Sequence, residues 1–208
     1  MDIRRMNLVL MRHGSTLWNE QKRYLGHTDL SLSPRGREEL TSAQAKLIGM
    51  NFDRVYCSDL ARCRESLNAV RPDLAAGAIY DRALREMDFG AWEGHTYDQL
   101  KDTALYRQWL DDPQQVTPPE GEAWASFEGR IAAFLGRMLP SSEVTQPEPP
   151  SFSTNVLAVA HGGVIRQIAT QLVSGLAFWE IEAGPGQLLG LTLEQREESW
   201  TGAELRIL

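Results

Sequence analysis

The chain has 208 residues, 42% of them hydrophobic and 24% charged, the makeup of one soluble domain with room for a sizeable core. Its formal net charge of -7 argues against a general nucleic-acid binder, which is usually basic. The same acidity means that a phosphate ligand must meet positive charge concentrated locally. The two cysteines, Cys57 and Cys63, match no zinc or redox spacing and define no disulfide framework. They read as reduced thiols of a cytoplasmic protein. The N-terminal MDIRRMNLVLMRHG has basic residues before an apolar run, but that run, Leu8 to Met11, is too short for a signal-peptide core. No stretch approaches a membrane span, so no membrane role is expected. A homodimer stays open, dimers being the commonest assembly.

Leu8 to Met11 has the form of a buried strand, and it delivers Arg12-His13-Gly14 at its C-terminal end. Ser33 and Pro34 open a helix as cap and first residue. Leu40, Ala43 and Leu47 share its inner face, and Gly49 marks its end. Arg54 to Cys57 reads as a second strand. Ser58 or Asp59 is placed to cap the next helix, Arg62 falls in its first turns, and Pro72 ends it. From Ala78 to Gly94 the pattern is irregular, with a short strand around Ile79. Thr96-Tyr97-Asp98-Gln99 has the form of a capping box, and short helices run on to Leu110. Pro113, Pro118, Pro119 and Gly121 then break the chain.

Trp124, Phe127, Ile131, Phe134, Leu135 and Met138 form one apolar stripe at helical spacing, read as core. Pro140 to Ser153, rich in Pro, Ser and Thr, reads as a surface loop. Val156 to Ala160 is another buried strand and ends at His161-Gly162-Gly163. Val164, Ile165, Ile168 and Leu172 face inward on the helix after it, and Leu188 to Leu193 and Leu205 to Leu208 read as closing strands. There is no internal repeat. Strands alternating with helices predict an α/β fold, a three-layer α/β/α sandwich with a mostly parallel central sheet. The expected organisation is a single domain over residues 1–208 with a cap or lid at about 94–122. Tyr106 and Trp109 in that cap either contact a substrate or simply pack it.

Three strand ends carry polar residues suited to a shared role, namely Arg12-His13, Ser58 through Arg62, and His161. Ligands of open α/β sheets bind beyond the carboxyl ends of the strands. Two arginines and two histidines at one mouth would supply the missing positive charge. Arginine presents a planar fork of donors that matches phosphate oxygens. A neutral imidazole can attack phosphorus, and a second can donate to oxygens that gain charge in the transition state. A glycine after each histidine lets backbone and ligand approach closely. Phosphoryl transfer needs mainly positioning and charge stabilisation, so no metal or other cofactor is required. The leaving oxygen needs a proton donor. Glu86 is the best candidate and Asp88 and Glu93 are its rivals. The donor must be protonated at working pH, which partial burial would favour.

These segments resemble the histidine phosphatase superfamily, also called phosphoglycerate mutase-like. The resemblance rests on LVLMRHGSTLWN, YLGHTDLSLSPRG, DRVYCSDLARCRES, LREMDFGAWEGHT and VLAVAHGGVIR and covers nearly the whole chain. It implies a nucleophile at His13, phosphate-binding Arg12 and Arg62, a second histidine at His161 and a proton donor at Glu86. It further implies phosphate contacts from Asn19 and from the backbone of Gly162. The implied reaction has two steps, phosphorylation of His13 and hydrolysis of the phosphohistidine, with Glu86 as acid and then base. Ser15, where many members have Glu, and Glu65-Ser66, where Glu-Thr is common, depart from the family pattern outside the residues given chemical roles.

The Glu-Met-Asp-Phe-Gly-Ala-Trp-Glu-Gly context of Glu86 resembles the phosphatase branch that includes alpha-ribazole phosphatases, and the stretch from Glu86 to His161 is too short for the full mutase insertion. The resemblance therefore implies a metal-independent phosphomonoesterase acting on a small phosphorylated metabolite, with alpha-ribazole 5'-phosphate as the leading substrate and broad specificity close behind. Two alternatives are a cofactor-dependent phosphoglycerate mutase and a non-catalytic phospho-ligand binding module.

Overall fold

The computed structural model describes residues 4–139, 153–196 and 199–208. The surface-loop reading of Pro140 onward lies outside the described residues, except that Ser153 already belongs to a strand. In chain order the elements begin with β1 (Arg5–Arg12), α1 (Leu17–Glu20), α2 (Pro34–Leu47), β2 (Arg54–Cys57) and α3 (Ala61–Val70). Next come α4 (Pro72–Ala75), β3 (Ile79–Tyr80), α5 (Tyr97–Leu100), α6 (Ala104–Asp111) and α7 (Trp124–Met138). The chain closes with β4 (Ser153–Ala160), α8 (Gly162–Leu172), β5 (Leu188–Arg196) and β6 (Ser199–Ile207). No helix among the described residues is long and apolar enough to cross a membrane.

One six-stranded sheet has the order β3-β2-β4-β1-β5-β6. β3, β2, β4 and β1 run parallel, whereas β5 and β6 close one side antiparallel, so the sheet is mixed. The closing pair is a hairpin, which needs no crossover helix. Its second strand begins at Ser199, earlier than the apolar tail suggested, because backbone pairing continues through polar residues once a partner strand is present.

Both faces of the sheet are covered. Leu8 and Leu10 of β1 and Val156, Ala158 and Ala160 of β4 pack on one side with α7 and α8. Val9, Met11, Leu157 and Val159 face the other side, with α2 and α3. This is why the central strands are apolar runs and do not alternate with polar residues. The Trp124-to-Met138 stripe is buried along its whole length. A smaller aromatic cluster of Trp92, Leu100, Tyr106 and Trp109 sits apart from both cores.

Local capping follows the sequence at α2, where the Ser33 side chain accepts from Gly36 N–H, and Gly49 follows the helix at φ +77°. At α5 the Gln99 side chain accepts from the Thr96 N–H at 2.9 Å. At α3 the expectation fails. Its N-cap residue is Leu60, and neither Ser58 nor Asp59 caps it by a side chain. The distant Asp29 accepts from Ala61 N–H at 2.7 Å instead. Asp59 is engaged with Arg85, and the Ser58 hydroxyl with His161. A long-range partner has displaced the local cap at each residue.

Candidate active site

Strand register creates the site. β1 and β4 are parallel with Arg12 opposite Ala160, and His13 N–H donates to Ala160 O at 3.1 Å. β2 runs parallel to β4 on its other edge, and Ser58 N–H donates to Val159 O at 2.9 Å. Three neighbouring strands thus end together and bring His13, His161 and the start of α3 to one point. The imidazoles of His13 and His161 meet edge to face, with centroids 5.0 Å apart.

His13 is buried, and its Nδ1–H donates to the Gly14 carbonyl at 2.7 Å. A carbonyl only accepts, so the proton sits on Nδ1 and Nε2 keeps the lone pair. Arg62 is fully buried inside α3. It donates through Nη1 to Thr28 O at 2.9 Å, through Nη2 to Gly26 O at 2.7 Å and through Nε to His161 Nδ1 at 3.3 Å. Guanidinium is an obligate donor, so His161 carries its proton on Nε2 and donates to Ser58 Oγ at 3.0 Å. Arg12 donates through Nη1 to Ala183 O at 2.6 Å, while its buried Nε has no hydrogen-bond partner among the described residues.

Burial lowers the pKa of both arginines, yet a guanidinium remains charged in a protein. Burial and then the Arg62 charge push both histidines well below the ordinary histidine range, with Arg12 adding to the effect. The unfolded chain takes up protons on these rings below about pH 6.5, and the folded chain does not. Stability is therefore full above that pH and is lost as pH falls toward the folded-state values. The loss is up to about 1.4 kcal/mol per pH unit for each ring. Urea unfolding between pH 7 and pH 5.5 should show this slope, and His13→Asn should remove about half of the histidine contribution. An unchanged slope in the variant would mean that His13 is not held neutral.

Glu86 reaches the site from the irregular segment after β3. Its carboxylate accepts from Met87 N–H at 3.1 Å and from Gly163 N–H, in the first turn of α8, at 2.9 Å. A Cβ at Gly163 would run into Glu86 Oε1, so only glycine leaves this bond intact. The rivals are otherwise occupied. Asp88 accepts from Gly90 N–H at 2.8 Å and pairs with His27 at 3.3 Å. Glu93 accepts from His27 N–H at 2.7 Å and from Thr28 N–H and Thr28 Oγ1.

Asn19 belongs to α1, which the sequence pattern did not reveal. Its side-chain oxygen accepts from Thr16 N–H at 3.0 Å in a capping box, which leaves the amide NH2 for other partners. Gly162 is the first residue of α8, so its N–H has no intrahelical partner. The two glycines after the histidines differ. A Cβ on Gly162 would only touch the Arg12 guanidinium, whereas one on Gly14 would collide with the Gly36 backbone. The Gly14 position therefore serves close packing of β1 against α2 as well as any ligand.

Several supporting residues are given no chemical role by the sequence. Ser66 Oγ accepts from Gly14 N–H at 3.1 Å and donates to Arg62 O at 2.6 Å, so it braces both the His13 loop and Arg62. Ser15 N–H donates to Glu39 at 2.9 Å. Cys63 Sγ lies 3.5 Å from His161 Nε2, and burial pushes its thiol pKa up to about 12. Glu86 and Gly163 also line a cavity of about 550 Å³, shared with Tyr24, Trp109, Trp124, Arg166 and Phe178. Tyr106 is buried in the aromatic cluster and absent from this lining, whereas Trp109 belongs to both.

The model of the histidine phosphatase superfamily (branch 1) matches residues 8–204. The chain is 30% identical over 195 residues to the adenosylcobalamin/alpha-ribazole phosphatase of Escherichia coli (strain K12), covering 92% of each chain. The crystal structure of the alpha-ribazole phosphatase from Shigella flexneri superposes with a TM-score of 0.79 at 30% identity, covering 98% of this chain and 96% of that one. The phosphoglycerate mutase from Thermus thermophilus superposes with a TM-score of 0.66 at 28% identity, covering 89% and 92%. The chain belongs to branch 1 of the histidine phosphatase superfamily and is a phosphatase of that type.

Proposed function

We propose that this enzyme hydrolyses alpha-ribazole 5'-phosphate through a phosphohistidine at His13, with Glu86 as acid and then base. The observation that carries the chemical reading is the His13 tautomer. With Nδ1–H tied to the Gly14 carbonyl, the Nε2 lone pair is the free end of the ring, beside the guanidinium groups of the fully buried Arg62 and the half-buried Arg12. Arg12, Arg62, the Asn19 amide and the Gly162 N–H are the phosphate donors. His161 joins them by a tautomer change. When Arg62 Nε turns to phosphate, the Ser58 hydroxyl can switch from acceptor to donor toward Nε2, and the imidazole proton moves to Nδ1.

The substrate reading draws on the similar alpha-ribazole phosphatases and on the cavity beside Glu86. Its aromatic lining suits a planar apolar leaving group and its volume suits a small organic molecule. Residues at about 94–122, which include α5 and α6, act as the cap of this single domain. Trp109 faces the substrate and Tyr106 packs the cap.

The test is steady-state hydrolysis of a panel containing alpha-ribazole 5'-phosphate, phosphoserine and 3-phosphoglycerate, with and without a strong chelator. The expected result is a kcat/KM for alpha-ribazole 5'-phosphate at least about tenfold above the others, a difference of ~1.4 kcal/mol, undiminished by chelation. Faster isomerisation of 3-phosphoglycerate, primed with bisphosphoglycerate, than phosphate release would replace this reading with a mutase. Absence of turnover on every ester would leave a phospho-ligand binding module.

A further inference from the structure

Glu86 lies in neither a strand nor a helix, so no regular hydrogen-bond ladder holds its backbone. Arg130 of α7 does so. Its guanidinium donates through Nη1 to Ala83 O at 2.7 Å and to Arg85 O at 2.6 Å, and through Nη2 to Glu86 O at 2.9 Å. Its Nε and Nη2 donate to the two carboxylate oxygens of Glu122 at 2.7 and 2.9 Å. All five guanidinium N–H donors are thereby used, three of them on carbonyls of one short segment. Glu122 fastens the far end of that segment. Its N–H donates to Asp88 O at 2.8 Å, and its Oε2 accepts from Asp88 N–H at 3.3 Å. The base of the clamp is rigid, because α7 is anchored in the core by its apolar stripe. Glu86 is thus gripped twice, at its carbonyl by Arg130 and at its carboxylate by Gly163 N–H.

We propose that Arg130, locked by Glu122, is a positioning residue that sets the reach of the Glu86 carboxyl toward the leaving oxygen. This rests on the reading of Glu86 as the acid. The physical reason is the steepness of proton transfer with distance, where an error of about 1 Å costs on the order of 100-fold. Neither Arg130 nor Glu122 lines the cavity beside Glu86, so each acts through Glu86 and not on the substrate.

The experiment compares wild type, Arg130→Met, Arg130→Lys, Glu122→Gln, Glu86→Gln and the Arg130→Met/Glu86→Gln double variant. Each is assayed on an alkyl phosphate and on p-nitrophenyl phosphate, with inhibition by inorganic phosphate measured alongside. Arg130→Met should lower kcat/KM on the alkyl ester by about 10- to 100-fold and on the aryl ester by less than about threefold. Arg130→Lys should recover part of the loss, and phosphate inhibition should stay within about twofold of wild type. The double variant should be no slower on the alkyl ester than Glu86→Gln alone, because a displaced acid and an absent one are the same defect. Equal losses on both esters, weakened phosphate inhibition or additive losses in the double variant would overturn the proposal. If Glu86→Gln itself shows no leaving-group dependence, the acid reading fails, and the proposal fails with it. If only Glu86→Gln shows that dependence, the acid reading stands and the clamp alone is refuted. Should Arg130→Met not fold, Glu122→Gln carries the same comparison, since it weakens the lock while leaving the three carbonyl bonds.

Discussion

Replacing His13 by Ala should lower turnover by about 10⁴-fold or more and leave no acid-labile phosphoenzyme after rapid quenching. The reason is that the change removes the group proposed to form the new bond and little else. Arg62 is held by two carbonyls, Thr28 O and Gly26 O, and Arg12 by Ala183 O, none of which depends on the His13 ring. Inorganic phosphate should therefore still bind the variant, which separates loss of the nucleophile from collapse of the site. The wild-type ring is kept neutral by burial and by its two guanidinium neighbours, so its nucleophilic form should persist at pH values where an ordinary histidine is protonated. Turnover near the wild-type rate, or a labile phosphoenzyme in the variant, would remove His13 from the mechanism.

Glu86→Gln should produce a loss that depends on the leaving group. On an alkyl phosphate, kcat/KM should fall by about 10²- to 10⁴-fold, the usual range for a lost general acid. On p-nitrophenyl phosphate the first step needs no proton, and kcat/KM should change by less than about tenfold. On the proposed mechanism the second step, hydrolysis of phosphohistidine, still lacks its base, so kcat on the aryl ester should fall and a burst of nitrophenol should appear. Glutamine keeps the shape of the side chain but has one oxygen where the carboxylate uses two, so it accepts from only one of the Met87 and Gly163 N–H groups, and it is the dependence on the leaving group that marks the missing proton. Equal losses of kcat/KM on both esters would return Asp88 or Glu93 to candidacy. Their carboxylates are bound to His27, Gly90 and Thr28, which argues that they shape the loop around Arg62.

The two variants probe residues of different legibility. His13 comes just after a short apolar run best read as a buried strand, so its place at a strand end was readable from neighbours in the chain. Glu86 sits in an irregular stretch with two other acids nearby, and periodicity does not distinguish the three; the family resemblance alone singles out Glu86. The structure separates them by partners. Gly163 lies 77 residues from Glu86 in sequence and Arg130 lies 44 away. Ser58 shows the same limit. Its position suggested a helix cap, but its hydroxyl is taken by His161, 103 residues further on, while Asp29 supplies the cap from another loop. Departures from the family pattern behave likewise. Ser66 looked remote from the chemistry, yet it braces Gly14 and Arg62.

The sequence by itself determined the strands, the helical stripes, the central pair Arg12-His13 and the class of chemistry. The elements depend on periodicity and caps, which act over a few positions and leave a visible pattern, whereas the class of chemistry followed from polar residues at three strand ends taken together and from the family resemblance. The tertiary structure decided which nitrogen of each histidine carries the proton, which of three acids faces the cavity, and what holds that acid in place. Those outcomes depend on hydrogen bonds between segments far apart in sequence. Such bonds carry no spacing of their own and exist only once β2, β4 and β1 lie side by side and α7 and α8 are packed against them.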